Sequence, residues 1–145
     1  DIYGAVENEI YWKQCQNVIA GLPQNIVVRY MGVLDHEQVA STIAKYHAYY
    51  MPTTGENFGH SIVEAMLMGK PVIISDQTPW TDVNGNGGFA IPLNNEMTFI
   101  TVLNELVEMN ADEYSTLSGK IEKYIKNKLN IDEIIHQYIV AFDGE

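Results

Sequence analysis

Disulfides are excluded from this chain, because Cys15 is its only cysteine. A lone thiol fits a reducing compartment, and its place in an amphipathic pattern points to full or partial burial rather than to a nucleophile. Cations are scarce: 8 Lys and Arg against 19 Asp and Glu give a net charge of −11. Nucleic acid is therefore not expected as a partner, since phosphate backbones require basic surfaces. The same charge repels a nucleotide diphosphate at long range. No apolar run approaches the ~18 residues of a membrane span. The chain opens on Asp1-Ile2-Tyr3, a strand-like pattern without a charged leader, so no signal peptide is expected. The four histidines, His36, His47, His60 and His136, lack ligand spacing, so no metal is expected. Pro/Gly/Ser-rich linkers, internal repeats and low-complexity tracts are also missing, which predicts one domain over residues 1–145.

What is present is ordinary globular material. Hydrophobic residues make up 46% and charged residues 19%, enough for a core in a chain of this length. The chain is organised around residues 52–80, PTTGENFGHSIVEAMLMGKPVIISDQTPW. The apolar run His47-Ala48-Tyr49-Tyr50-Met51 leads into Pro52 and a polar, glycine-containing loop at residues 53–57. A helix pattern follows, with Ile62, Ala65 and Met66 at i, i+3 and i+4. Gly69 sits where a left-handed C-terminal cap belongs. Pro71-Val72-Ile73-Ile74-Ser75 reads as a buried parallel strand. The result is a β-loop-α-β unit whose loop empties onto a helix N-terminus.

That geometry favours anions, because the first helical turn carries unsatisfied N–H groups and a partial positive charge. A phosphate at Gly59-His60-Ser61 needs no basic side chain there. Glu56 and Glu64, with seven residues between them, do not bind phosphate but accept hydrogen bonds from sugar hydroxyls. A phosphate with a carboxylate on either side describes a sugar nucleotide. Each part also has a plainer reading. Ser61-Ile62-Val63-Glu64 fits a capping box, Glu56 can be a solvated loop charge, Phe58 a packing residue and His60 a polar loop residue.

Along the rest of the chain, strands and helices alternate. A helix is predicted over residues 9–20, a strand over 26–31, a loop at Gly32-Val33-Leu34, and a helix from an Asp35 N-cap to about Ala44. Residues 76–88 form a turn region with two Asn-Gly pairs, and residues 88–92 an edge strand, where Pro92 is tolerated. Helices follow over 95–108, with Phe99, Val102, Leu103, Leu106 and Val107 on one face, over 111–128, and over 131–142. Short alternation implies parallel pairing and right-handed crossovers. Ligands then bind beyond the carboxyl ends of the strands.

Glu56-Asn57-Phe58-Gly59-His60-Ser61-Ile62-Val63-Glu64, followed by Ala65-Met66 and by Gly69-Lys70-Pro71-Val72-Ile73, resembles the donor-site signature of the retaining group 1 (family 4) glycosyltransferases. The resemblance covers roughly residues 1–93. It implies the C-terminal, donor-binding half of a GT-B enzyme: a Rossmann-like three-layer α/β/α domain with a parallel sheet. It implies Glu56 beside the donor hexose as the catalytic-site glutamate. The backbone N–H groups of Asn57, Phe58, Gly59, His60, Ser61 and Ile62 would contact hexose and diphosphate. Glu64 would hold the ribose, and Gly32, Val33 and Leu34 would lie beside the base.

The reaction so implied is retaining hexose transfer from a UDP- or GDP-linked sugar to a glycan or glycolipid acceptor, with no metal and no cofactor. The place implied is the cytoplasm, peripheral to the inner membrane. The family's diphosphate-clamping Arg and Lys would precede Tyr3, so the first strand-helix unit and the acceptor domain are expected to be missing and the fragment alone inactive. Two other classes stay open. A non-catalytic nucleotide-sugar-binding or scaffolding domain would favour replacement of either glutamate, yet both stand. An unrelated flavodoxin-like receiver needs an acidic cluster at its first strand end, where Asp1 is the only acid.

Overall fold

Apolar runs bounded by glycine and proline build the strands of this α/β protein, and capped amphipathic segments build its helices. The computed structural model describes residues 1–130, so the helix expected over 131–142 and His136 lie outside the described residues. Two compact units are present, residues 1–39 and residues 40 onward.

In the first unit, β1 (Ile2–Tyr3) pairs in parallel with β2 (Tyr30–Gly32). Between them runs α1 (Glu9–Ala20), whose N-cap Asn8 accepts from the Tyr11 N–H. The expected strand over residues 26–31 shortens to three residues, because β1 supplies partners only opposite Tyr30 to Gly32. Ile26 and Val27 are left 49% and 71% exposed. An ion pair between Arg29 and Asp1 at 2.7 Å and the Tyr30 ring against Trp12 tie the unit together. Cys15 is half-buried, as its pattern predicts.

Helix α2 (His36–Ile43) starts directly after Asp35 and buries Thr42 and Ile43 in its last turn. The second unit then carries a three-stranded parallel sheet in the order β3 (Tyr49–Met51), β4 (Val72–Ser75), β5 (Phe89–Ile91). β4 is central and wholly buried, as its unbroken apolar run requires. β5 lies at the edge, and Asn84 pairs with both backbone polar groups of Ala90, standing in for a further strand. Such cover blunts an exposed edge.

Side chains alternate across a strand, and that sorts the helices. Ile73 and Ile91 meet Phe99 and Val102 of α4 (Glu96–Glu108) on one face. Val72 and Ile74 point the other way, where α3 (His60–Leu67) packs against β4 and against α5 (Ala111–Lys128). Ile62, Ala65 and Met66 of α3 and Ile121 and Ile125 of α5 are fully buried there. Each large side chain so buried contributes about 1.5–3 kcal/mol. On α4 the expected apolar face narrows: Leu106 is half-buried, but Leu103 and Val107 are 40% and 84% exposed. Positions 99, 102 and 106 form the stripe that meets the sheet, and 103 and 107 lie a further ~100° round the helix.

Gly69 follows the C-cap of α3 with φ +66, as expected for a left-handed stop. A side chain there would also collide with Ser118, whose Oγ would lie 2.6 Å from its Cβ. Among the described residues no helix is long and apolar enough to cross a membrane.

Candidate functional site

The loop between β3 and α3 is built by hydrogen bonds to the end of β4 and the segment that follows it. Beyond Met51, the Thr53 hydroxyl bridges to the backbone N–H and carbonyl of Gly55. Three further bonds come from across the sheet end. The Ser75 hydroxyl donates to the Thr53 carbonyl at 2.5 Å. The Glu56 N–H donates to the Gln77 carbonyl at 3.1 Å. The Trp80 indole N–H donates to the Phe58 carbonyl at 2.5 Å.

Within the loop, the Glu56 carboxylate accepts the Phe58 N–H at 3.3 Å. The Phe58 ring lies 4.8 Å from His60 and stands edge-on to Trp80 at 5.6 Å. Glu56 is half-buried, while Asn57, Phe58 and His60 are exposed.

The chain enters α3 through Gly59, a left-handed N-cap with φ 76 and ψ 62 that makes no side-chain cap bond. A methyl group there would meet Ile62 Cδ1 at 2.8 Å and Glu56 Cγ at 3.1 Å, so only glycine fits. The first intrahelical bond runs from the Val63 N–H to the Gly59 carbonyl. The N–H groups of His60, Ser61 and Ile62 therefore have no carbonyl one turn back and point out of the helix end. Ile62 has its side chain in the core, leaving only its backbone for a ligand.

The capping-box reading of Ser61 and Glu64 is overturned. Ser61 is the second helical residue rather than the cap, and its hydroxyl lies 2.7 Å from the Tyr49 hydroxyl. Glu64 stands half-buried, one turn after His60 on the same face,. Among the described residues no hydrogen bond or ion pair holds its carboxylate, whose charge acts on Tyr49. The reciprocal box forms elsewhere, between Asn110 and Glu113 at the start of α5.

Tyr49 links strand and helix. Its hydroxyl also donates to Met51 Sδ at 3.2 Å. Burial pushes the phenol pKa up and the Glu56 and Glu64 charges add to the rise, against the Ser61 hydrogen bond. The phenol stays neutral and can orient the Ser61 hydroxyl.

Gly32, Val33 and Leu34 belong to the first unit; Gly32, expected in the loop, is the last residue of β2 because it pairs with Tyr3, and Val33 and Leu34 follow it. Gly32 has φ +78, its carbonyl accepts the Gly4 N–H, and Val33 is 71% exposed. Residues 56–64 all fall in one loop and helix start of the second unit. Among the described residues no cluster of His, Cys, Asp or Glu could hold a metal. A shallow depression at Met109, Asp112, Glu113, Thr116, Leu117 and Lys120 shares no residue with this loop.

Sequence reasoning gave no role to Trp80, Asp82, Tyr124 or Lys128. Trp80 is 4% exposed. Asp82, two residues on, accepts the Tyr124 hydroxyl at 2.6 Å and pairs with Lys128. The Lys128 ammonium lies 5.7 Å from the Trp80 ring centroid and 5.4 Å from that of Tyr124. Lys128 and Tyr124 hold the Asp82 carboxyl below the usual carboxylate range. Burial, with the Asp82 hydrogen bond, pushes Tyr124 up to about 12. One signal was available: a tryptophan inside a polar turn region needs a partner for its N–H when buried.

Residues 1–109 match the family described as "Glycosyl transferases group 1". The O-antigen chain mannosyltransferase B of Escherichia coli is similar, at 29% identity over 118 residues. The alignment covers 81% of this chain and 30% of that protein. The chain thus spans less than a third of the length of that relative.

Proposed function

The chain belongs to the group 1 glycosyl transferases, and from that premise we propose that it is the donor-binding, C-terminal half of a retaining GT-B enzyme. The observation that carries the reading is the α3 entrance: a left-handed Gly59 leaves three first-turn amides open between Glu56 and Glu64. The diphosphate lies on the amides of Gly59, His60, Ser61 and Ile62, where the helix end supplies positive potential without a basic side chain. Glu64, with no partner among the described residues, takes the ribose hydroxyls. Glu56 stands at the hexose with the Asn57 and Phe58 amides. Gly32, Val33 and Leu34 serve the base.

The hexose passes with retention from a UDP- or GDP-sugar to a glycan or glycolipid acceptor. No cofactor takes part. Mannose, the sugar in the relative's name, is one such hexose that this reading admits. The acceptor is held by an N-terminal domain, and the full protein works in the cytoplasm at the face of the inner membrane. This chain alone does not catalyse transfer.

A helix dipole contributes on the order of 0.3–1 kcal/mol at an exposed site and about 2 when partly buried. The net charge of −11 opposes an anionic ligand. We therefore expect this chain to bind nucleotide sugars at roughly millimolar affinity, about 4 kcal/mol. The test is a titration with UDP- and GDP-sugars followed by amide shifts in NMR. Shifts centred on residues 32–34 and 56–64 support the assignment. Shifts confined to residues beyond 95 place the ligand elsewhere and refute it.

A further inference from the structure

The loop that carries Glu56 is held from one direction. Ser75 at the end of β4, and Gln77 and Trp80 just after it, bond to Thr53, Glu56 and Phe58 in the same order. The last of these is a side-chain donor on a backbone carbonyl, 22 residues away in sequence. It acts on the residue just before the left-handed Gly59, so it sets the plane of the Phe58–Gly59 peptide. Turning that peptide re-aims the Gly59 N–H and shifts the entry into α3.

Trp80 is itself fixed. Its backbone N–H donates to the Thr78 hydroxyl at 3.3 Å, its ring meets Phe58 edge-on, and Lys128 lies against it. Lys128 is in turn held by Asp82, which also takes the Tyr124 hydroxyl. The last turns of α5 thus clasp the segment that clasps the loop.

We propose that Trp80 is a positioning residue for the donor site, setting the amides that follow Glu56 through the Phe58 carbonyl, with the Asp82–Tyr124–Lys128 cluster as its support. The inference rests on the donor-site reading above and adds a residue to it. A purely packing role would leave the indole N–H indifferent to the loop. Here that N–H is spent on the one carbonyl that fixes the start of the anion-binding turn. The charge cluster does not touch the ligand. Its function is to keep the indole from rotating away when the loop is loaded.

The test compares three variants of this chain with the wild type, titrated with UDP-glucose and GDP-mannose under NMR detection. Trp80→Phe keeps a ring and loses the N–H. Its affinity for the nucleotide sugar is expected to fall about three- to tenfold, the range of one neutral hydrogen bond. Its Val63 amide, which bonds to the Gly59 carbonyl, should exchange faster in the absence of ligand. Val102→Ala is the control for stability alone, since Val102 packs with Phe99 on the opposite face of the sheet. It should lose melting temperature and keep its affinity. Lys128→Met removes a charge that is 37% exposed, so it folds. It should weaken binding about twofold, and it decides the matter if Trp80→Phe does not fold.

Wild-type affinity in Trp80→Phe, an equal loss in Val102→Ala, or unchanged affinity in Lys128→Met beside an unfolded Trp80→Phe overturns the proposal. Absence of any wild-type shift with either sugar removes the donor-site reading and this inference with it. Wild-type binding with an insensitive Trp80→Phe removes this inference alone.

Discussion

Replacing Glu64 with alanine separates a ligand role from a structural one more cleanly than any other change. In this structure Glu64 lies within α3, is half-buried and closes no capping box, because the N-cap is Gly59 and Ser61 is engaged with Tyr49. Alanine is at least as good a helix former as glutamate. Folding stability should therefore move by no more than about 0.5 kcal/mol, as for a surface change away from special features. The donor side differs. Two ribose hydroxyls on a carboxylate make two charge-assisted hydrogen bonds, each about 1.5–3 kcal/mol. Water replaces part of this in an open half-cleft, which leaves a net loss of about 2–3 kcal/mol. That corresponds to about 30- to 150-fold in affinity.

Starting from roughly millimolar binding, Glu64→Ala should show no saturable shifts in the titration, while its urea midpoint stays near that of the wild type. Glu64→Gln keeps the shape and one acceptor and loses the charge, so its binding should fall by about 1 kcal/mol, roughly fivefold. Two results would refute the reasoning. Glu64→Ala binding within twofold of a wild type that does bind would show that Glu64 does not hold the ribose. A stability loss beyond about 1 kcal/mol would return the residue to a capping or packing role.

The remaining predictions concern the frame of the site. Gly59→Ala should destabilise the chain by about 2 kcal/mol, since it combines a left-handed backbone with a Cβ 2.8 Å from Ile62 Cδ1,; a shift of the urea midpoint at constant slope measures it. Raised pKa values of Tyr124 and Lys128 mean that the folded chain binds these protons more tightly than the unfolded one. Their contribution is therefore complete below pH 10 and is lost as pH rises towards about 12,. Urea midpoints across that interval should fall more steeply in the wild type than in Tyr124→Phe, and parallel curves would deny the cluster a role in stability.

Local chemistry made most of the fold legible. The predicted bounds of α1 and α5, residues 9–20 and 111–128, hold, and the structure adds the caps Asn8 and Asn110 that start them. Gly69 closes α3 in the left-handed region, and the apolar run 72–75 lies at the centre of a parallel sheet. Where reading failed, the missing quantity was a partner. Residues 26–29 have strand composition, but a strand is defined by what lies opposite it, and β1 reaches only Tyr30 to Gly32. Ser61 and Glu64 satisfy the spacing of a capping box, but a left-handed Gly59 starts the helix two residues earlier and moves both off the cap positions. The period of α4 was right in kind and too wide by two residues, because the width of the buried stripe depends on the sheet beneath it.

The candidate site divides in the same way. Glu56, Gly59 and Glu64 could be found because their spacing is local, set by one loop and one helix start. Trp80, Asp82 and Lys128 could not, since their partners lie 22 and 46 residues away. The two groups answer different physical demands. A ligand fixes spacing along one turn of backbone, so its signature is compact in sequence. Holding that turn still requires donors from neighbouring strands and helices. These are free to come from any part of the chain that the parallel sheet brings to the same edge. In a sheet whose strands all run one way, each loop at the carboxyl end is bordered by the next one. The segment after β4 is therefore the natural source of support for the loop after β3, and a buried tryptophan N–H in that segment is the first place to look for it.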